Sequence, residues 1–435
     1  MPHTSLLYRI AARSASALVP LAGLGSEKVA RSHQGRRGAV GRLVAWGKRS
    51  RDPARPLVWL HAPSVGEGLQ AESVLHVLRR RHPEWQYVYT WFSPSAEPLG
   101  RRLPVDIADY LPYDLAGNVN ALLAALRPDV LAFSKLDLWP ELATRAASAG
   151  TRVVMVAATV SPGSGRLRWP VRQALRPGYA SLSLAGAIST DDASRLERLG
   201  ADPSRIRVTG DPRFGQRGGE GDRIRLDDPL LQFGKGAPTM VAGSTWPADE
   251  RVVLDAFARL HVHRPDARLI LVPHEPTEQH LAPVEQAAAR LGLPTPVRLS
   301  RAADTPLPFL LVDRVGVLAA LYTGASMAFV GGGFGRAGLH SVLEPAACGI
   351  PVVFGPNWSN SRDAGLLLSA GGAEALSAFG TEEAGEALHG LWHGWMENET
   401  RRLSQGQKAR AVVEAGRGAA EASAALIEEA VARPT

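Results

Sequence analysis

Cysteine is almost missing: Cys348 stands alone in 435 residues. One thiol builds neither a disulfide framework nor a cysteine zinc site, and it fits a reducing compartment. Long apolar runs are missing too, since no stretch reaches the roughly 18 to 20 uninterrupted apolar residues needed to span a bilayer. There is no convincing Asp-x-Asp pair and no clustered set of histidine ligands. Basic residues are not interleaved with aromatics, which argues against nucleic acid as the partner despite a pI near 9.8. What is present is a chain with 45% hydrophobic residues and a mean hydropathy of −0.07. That is ample core for about two α/β domains.

The positive charge is unevenly placed. Residues 1–55 carry eleven Lys/Arg against Glu27 and Asp52, a net of +9, while the whole chain is +7, so the other 380 residues sum to −2. From Leu6 to Val19, residues Leu7, Ile10, Ala11, Ser14 and Leu18 fall on one helical face, with Arg9 and Arg13 opposite and Pro20 ending the pattern. Lys28, Arg31, Arg36, Arg37, Arg42, Lys48 and Arg49 follow. An amphipathic helix and a basic run suit an anionic membrane surface; a first helix packed on the protein's own core is the alternative. Arginines interrupt the apolar stretch and no small-residue cleavage site is evident, so it makes a poor signal peptide.

The stretch from Phe329 to Pro356 holds the densest signal. Met327 to Val330 reads as a buried strand, followed by Gly331, Gly332, Gly333 and Gly335, a helix from about Ser341 to Cys348, a stop at Gly349 and a strand at Pro351 to Phe354. Glycine lets backbone N–H groups approach an anion, and a helix N-terminus adds its positive dipole end. Glu344, near the mouth of the loop, can accept hydrogen bonds from a ribose diol. A tight strand-to-helix connection with no ligand reads the same residues equally well.

Leu57 to Ala62 reads as the first strand, Pro63 to Gly68 as a turn, and Gln70 to Arg81 as an amphipathic helix. Glu67 therefore sits at the carboxyl end of a strand, where open α/β sheets place their chemistry. It can serve as a general base towards a hydroxyl, or simply complement the helix dipole. Strands alternate with helices to Val208, and a second series runs from Thr239 to Phe354. The expected architecture is α/β, two Rossmann-like doubly wound lobes with a cleft between them. The expected boundaries are an N-terminal basic segment over 1–50, a first lobe over 51–215, a linker over 216–236, a second lobe over 237–404 and a single C-terminal helix over 405–435.

Trp59-Leu-His-Ala-Pro-Ser-Val-Gly-Glu67, Leu111-Pro-Tyr-Asp114, Leu138-Trp-Pro140, Leu199-Gly-Ala201, Gly243-Ser-Thr245 and the stretch from Gly331 to Pro356 occur in one order along the chain. With these motifs the sequence resembles the bacterial Kdo transferases, which move 3-deoxy-D-manno-octulosonic acid from CMP-Kdo to a lipid A precursor. The resemblance implies the GT-B fold, an inverting glycosyl transfer in lipopolysaccharide synthesis, and peripheral attachment to the cytoplasmic face of the inner membrane. It implies Glu67 as catalytic base, with Ser64, Gly66 and Lys135 on the acceptor side. Donor-binding residues would be Arg213, Pro273, His274, Gly316, Gly332, Gly333, Gly338, Ser341 and Glu344. It implies no cofactor and no metal, CMP-Kdo being a substrate.

Several positions depart from the family pattern. Its Glu-Thr-Glu-Leu-Trp-Pro is Lys135-Leu-Asp-Leu-Trp-Pro140 here, and its Asn-Ala-Arg-Leu-Ser is Ala157-Ala-Thr-Val-Ser161. Its Gly-Asn-Leu-Lys ends in Arg213, keeping the charge with different geometry. Pro-Arg-His becomes Pro273-His-Glu275, Met-Gly-Glu-Leu becomes Val315-Gly-Val-Leu318, and Gly-Gly-His-Asn becomes Gly338-Leu-His-Ser341. A different nucleotide sugar as donor, or a non-catalytic membrane-associated relative, are the other readings these changes allow.

Overall fold

A computed structural model of the chain describes residues 4–22, 25–214, 229–234, 237–302, 307–335, 338–359, 361–377 and 380–432. The chain divides into two compact units, residues 1–215 with 418–435, and residues 216–417. Most of the expected linker, including Gln216 to Asp222, lies outside the described residues; within it, Pro229–Gly234 forms a short 3-10 turn.

The first unit opens with helices α1 (Leu6–Ala22), α2 (Glu27–Arg36) and α3 (Ala39–Ser50). Seven strands follow: β1 (Leu57–His61), β2 (Gln86–Trp91), β3 (Ile107–Tyr110), β4 (Val130–Ser134), β5 (Arg152–Ala158), β6 (Leu184–Ala187) and β7 (Ile206–Val208). They alternate with α4 (Val65–Arg81), α5 (Glu97–Arg102), α6 (Ala116–Leu126), α7 (Pro140–Ser148), α8 (Val171–Ala180) and α9 (Thr190–Leu199). All strand pairs are parallel, in the order β3-β2-β1-β4-β5-β6-β7. Strands buried on both faces explain why β1, β2 and β4 read as near-continuous apolar runs rather than alternating ones.

The N-terminal basic segment is less of an appendage than its charge suggests. Leu43 and Trp46 of α3 lie in the first unit's core, each buried apolar side chain contributing about 1.5–3 kcal/mol. Two of the seven basic residues expected at a membrane are used internally. Arg36 is buried, its guanidinium donating to the carbonyls of Leu111, Ser32 and Phe92, and Arg42 forks onto both oxygens of Asp109 at 2.6 and 2.8 Å. α1 runs two residues past Pro20. Among the described residues no helix is long and apolar enough to cross a membrane.

The second unit repeats the plan with β8 (Thr239–Thr245), β9 (Arg268–Pro273), β10 (Val297–Arg298), β11 (Phe309–Leu311), β12 (Met327–Val330), β13 (Val352–Phe354) and β14 (Ala373–Ala375). Its helices are α10 (Pro247–His263), α11 (Glu278–Arg290), α12 (Leu318–Gly324), α13 (Leu343–Ala347), α14 (Arg362–Ala370), α15 (Thr381–Glu397) and α16 (Glu399–Ala415). The sheet is parallel, ordered β10-β11-β9-β8-β12-β13-β14.

The single C-terminal helix expected from Gln405 is two helices. α16 ends at Ala415, Gly418 takes φ 90°, and α17 (Ala419–Ala432) belongs to the first unit. There Ala424, Leu426 and Ile427 pack into the core beside Val154 and Leu184. Alanine-rich composition alone carries the helical pattern across the break; glycine's tolerance of left-handed backbone is what makes the turn.

Candidate active site

In each sheet the strand order reverses beside the first strand, and the crevice at that reversal is where doubly wound folds bind ligands. In the first unit the switch point lies between β1 and β4. The Pro63–Gly68 segment read as a turn is mostly helix: Ser64 is the extended N-cap and α4 begins at Val65, putting Glu67 in its first turn. Lys135 follows β4 directly, with φ 65°, a left-handed conformation uncommon for a residue bearing a Cβ. Its Nζ lies 2.9 Å from Glu67 Oε1, while Ser134 Oγ donates to the Glu67 carbonyl at 3.0 Å. The other carboxylate oxygen, Oε2, is buried and has no hydrogen-bond partner.

The Glu67 carboxylate is thus held on one side by a cation and left unengaged on the other. Buried polar atoms are normally satisfied, so Oε2 is an exception, and it stands at the edge where doubly wound sheets place their chemistry. Gly66 is exposed and Ser64 half-buried on the same turn, the serine making no side-chain cap bond.

The Leu138-Trp-Pro140 motif has a structural role at this edge. Trp139 Nε1 donates to His61 Nε2 at 3.1 Å, and His61 Nδ1 meets Thr90 at 3.0 and 3.1 Å. Complete burial pulls the His61 pKa down to about 4, so the ring is neutral and packs as a strut. Asp114 of the Leu-Pro-Tyr-Asp motif accepts the N–H groups of Glu141 and Leu142 at 2.8 and 2.9 Å, capping α7. Arg213 also lies in this unit. Asp211 accepts from its Nε at 3.1 Å and its Nη2 at 2.7 Å, and Gln70 Nε2 donates to the same carboxylate. Burial opposes ionisation of Asp211, yet Arg213 holds its carboxyl below the ordinary value.

The second unit's switch point lies where β8 separates β9 from β12. Ser244 takes φ 55° at a register shift in β8, turning the chain into Trp246. Three rings gather at this edge. Trp246 Nε1 donates to His340 Nε2 at 3.0 Å, the His274 and His340 rings stack with centroids 4.3 Å apart, and Trp246 lies 4.8 Å from His274. Partial burial and the neighbouring His274 lower the His340 pKa, favouring a neutral ring. With Nε2 accepting, its Nδ1 carries the proton and is a donor. Pro273 ends β9 immediately before His274.

Sequence reasoning found His274 but not Trp246 or His340. The signal for His340 was present: it is the position at which this chain keeps the histidine of Gly-Gly-His-Asn. Trp246 carried none, because its significance lies in strands brought together from distant segments.

The glycine loop differs from expectation. The buried Asp249 carboxylate accepts the N–H groups of Gly332 at 2.9 Å, Phe334 at 3.3 Å and Trp246 at 2.9 Å. The Gly332 amide, expected to face a phosphate, is therefore occupied by the protein's own anion. The glycines answer to packing instead: a Cβ on Gly333 would lie 2.5 Å from the Gly355 nitrogen, and one on Gly332, at φ 93°, 2.1 Å from the Gly338 carbonyl. The expected helix over 341–348 is only α13, five residues long, with Ser341 outside it and Glu344 in its first turn. Pro345, which lacks an N–H, and Gly349 at φ 74° confine it. Gly338 and Ser341 flank His340 and remain half-buried beside the rings. Gly316 is exposed, at φ 85°, on the loop into α12.

The two parallel, doubly wound sheets define a protein of the GT-B fold class. UDP-GlcNAc 2-epimerase from Neisseria meningitidis superposes with a TM-score of 0.59 at 12% identity, covering 86% of this chain and 98% of that one. A glycosyltransferase from Rickettsia africae gives 0.56 at 10% identity, with coverage of 88% and 100%. These likenesses establish the fold.

Sequence comparison narrows the family. A family model described as 3-deoxy-D-manno-octulosonic-acid transferase (kdotransferase) matches residues 36–216. The 3-deoxy-D-manno-octulosonic acid transferase of Bordetella pertussis is 30% identical over 355 residues, covering 77% of this chain and 79% of that protein. Its counterpart in Chlamydophila psittaci is 29% identical over 324 residues, 73% of each chain. The chain belongs to the Kdo transferase family, a family of glycosyltransferases.

Proposed function

We propose that this enzyme transfers Kdo from CMP-Kdo to a lipid A precursor with inversion at the anomeric carbon. The observation that carries this reading is the Glu67 carboxylate, fixed through Oε1 by Lys135 with Oε2 buried and unengaged. In the proposed step an acceptor hydroxyl donates its hydrogen bond to Oε2 and gives up its proton there as the oxygen attacks the anomeric carbon. The carbon–oxygen bond to CMP breaks and the electron pair leaves with the phosphate. General base catalysis of this kind supplies about 10²–10⁴-fold. Lys135 is a positioning residue, holding the carboxylate in its rotamer.

The second unit is assigned the nucleotide. Its neutral His340, with Nε2 tied to Trp246, presents Nδ1–H to an anion or a ribose oxygen, and Ser341 and Glu344 flank it along the chain. Protein donors, rather than a divalent cation, are assigned the phosphate charge. Arg213 serves in this reading as a cation oriented by Asp211.

The same reading places the protein peripherally on the cytoplasmic face of the inner membrane through α1. That helix is pinned to the first unit by its polar side, where Tyr8 Oη donates to Asp114 at 2.8 Å and Arg9 pairs with Glu141 at 2.9 Å, and just before it the Thr4 and Thr144 hydroxyls meet at 2.7 Å. Leu6, Leu7, Ile10 and Leu18 point outwards, 56–73% exposed. A helix docked by its polar face with its apolar face outward is suited to an interfacial location.

Incubating purified protein with CMP-Kdo and a lipid A precursor, then weighing the lipid product, tests the reaction. A mass gain of whole Kdo residues is expected. Thermal-shift titrations with CMP, UDP and GDP test the donor; a clear preference for UDP would favour another nucleotide sugar and overturn the assignment.

A further inference from the structure

The longest acid-free stretch near the candidate base has an unexplained surface. Between Glu141 and Asp191 there is no Asp or Glu, and the six charged residues are all arginine. Arg145 is paired with Glu141, and Arg166 with Asp137. Arg168, Arg172 and Arg176 are exposed and make no ion pair among the described residues. In their midst Trp169 is 81% exposed, more than any other large apolar side chain described, and Val171 is 44% exposed. An isolated exposed apolar residue needs no explanation. A tryptophan flanked by unpaired arginines in a stretch without acids does, because an exposed indole beside cations suits an anionic lipid interface.

Two further observations tie this surface to function. Ser5 Oγ in front of α1 donates to the Ala174 carbonyl in α8 at 3.3 Å, so the outward-facing helix and the tryptophan loop are neighbours. The loop also hangs from the carboxyl end of β5, on the edge that carries Glu67. Arg166 Nη1 donates to the Leu136 carbonyl at 2.6 Å and its Nη2 to Asp137 at 2.8 Å. Tyr179 Oη donates to the same Leu136 carbonyl at 3.0 Å. The segment that begins with Lys135 is thus braced directly against the loop.

We propose that the β5–α8 connection is a second membrane contact beside α1. Trp169 enters the interface, Arg168 and Arg172 meet anionic headgroups, and the bilayer surface is registered against the edge holding Glu67. This rests on the lipid-acceptor reading above, and extends it by naming the surface that presents the lipid.

The test uses the full chain with vesicles of phosphatidylcholine alone and of phosphatidylcholine mixed with phosphatidylglycerol. Trp169→Ala is expected to weaken partitioning onto mixed vesicles about tenfold. The double variant Arg168→Glu/Arg172→Glu is expected to weaken it about 25-fold or more, from about fivefold per arginine, with little change on phosphatidylcholine. Both changes are at exposed positions, and melting temperatures should match the parent. Transfer to a vesicle-borne acceptor should fall in Trp169→Ala, while transfer to a deacylated sugar acceptor stays unchanged. Parent-like partitioning of both variants, with release only by Leu7→Glu/Ile10→Glu, would overturn the proposal, as would failure of the parent to bind vesicles. A parent that binds vesicles but transfers nothing would instead refute the assigned reaction while leaving the anchor in place.

Discussion

Replacing Glu67 by glutamine isolates the proposed base. The amide retains the shape and the carbonyl that Lys135 Nζ contacts at 2.9 Å, but cannot accept a proton at the position of Oε2. Loss of general base catalysis is worth about 10²–10⁴ in kcat, or about 3–5 kcal/mol of barrier. Stability should change little. The Lys135 side chain is 42% exposed, and such a pair contributes at most about 1 kcal/mol, a shift of about 2–4 °C for a unit of this size. CMP affinity, assigned to the second unit, should stay within about twofold. Steady-state turnover with CMP-Kdo and a lipid A precursor, with CMP titration by calorimetry, reads both quantities. A kcat within tenfold of the parent would refute the assignment of Glu67. A parallel collapse of CMP affinity would show that the residue acts on the donor instead.

Three further outcomes are expected. Trp246→Phe keeps a ring but loses the N–H that fixes His340; CMP affinity should fall about 3- to 10-fold, the worth of one hydrogen bond, and an unchanged affinity in calorimetry would remove His340 from the nucleotide site. Glu250 is 5% exposed, and burial pushes its pKa from 4.5 up to about 7. The folded state therefore holds an extra proton between those values, and this group's contribution to stability is lost as pH rises from about 4.5 through about 7. Glu250→Gln should raise stability at pH 8 by on the order of 3 kcal/mol at most and change it little at pH 4.5. Equal effects at both pH values in denaturant titrations would contradict the burial argument. Gly333→Ala places a methyl 2.5 Å from the Gly355 nitrogen. It should cost about 1–3 kcal/mol through overpacking, read as a lower melting temperature, and a neutral change would show that the loop yields.

Period and composition determined the architecture by themselves. Near-continuous apolar runs such as Val130 to Phe133, set between helical patterns, already specify parallel strands covered on both faces, and hence two doubly wound sheets. Glu67 was legible because a carboxylate between a strand end and a helix start falls on the functional edge whatever the partners are. The outward apolar face of α1 was legible from its spacing. Only tertiary structure decided what touches what. Nothing local links Lys135 to Glu67, Trp246 to His340, or Asp249 to the Gly332 amide, since each pair is joined by strand order rather than by spacing. The glycine loop shows the limit most plainly. Glycine permits a close approach without naming what approaches, and here part of what approaches is the protein's own buried carboxylate.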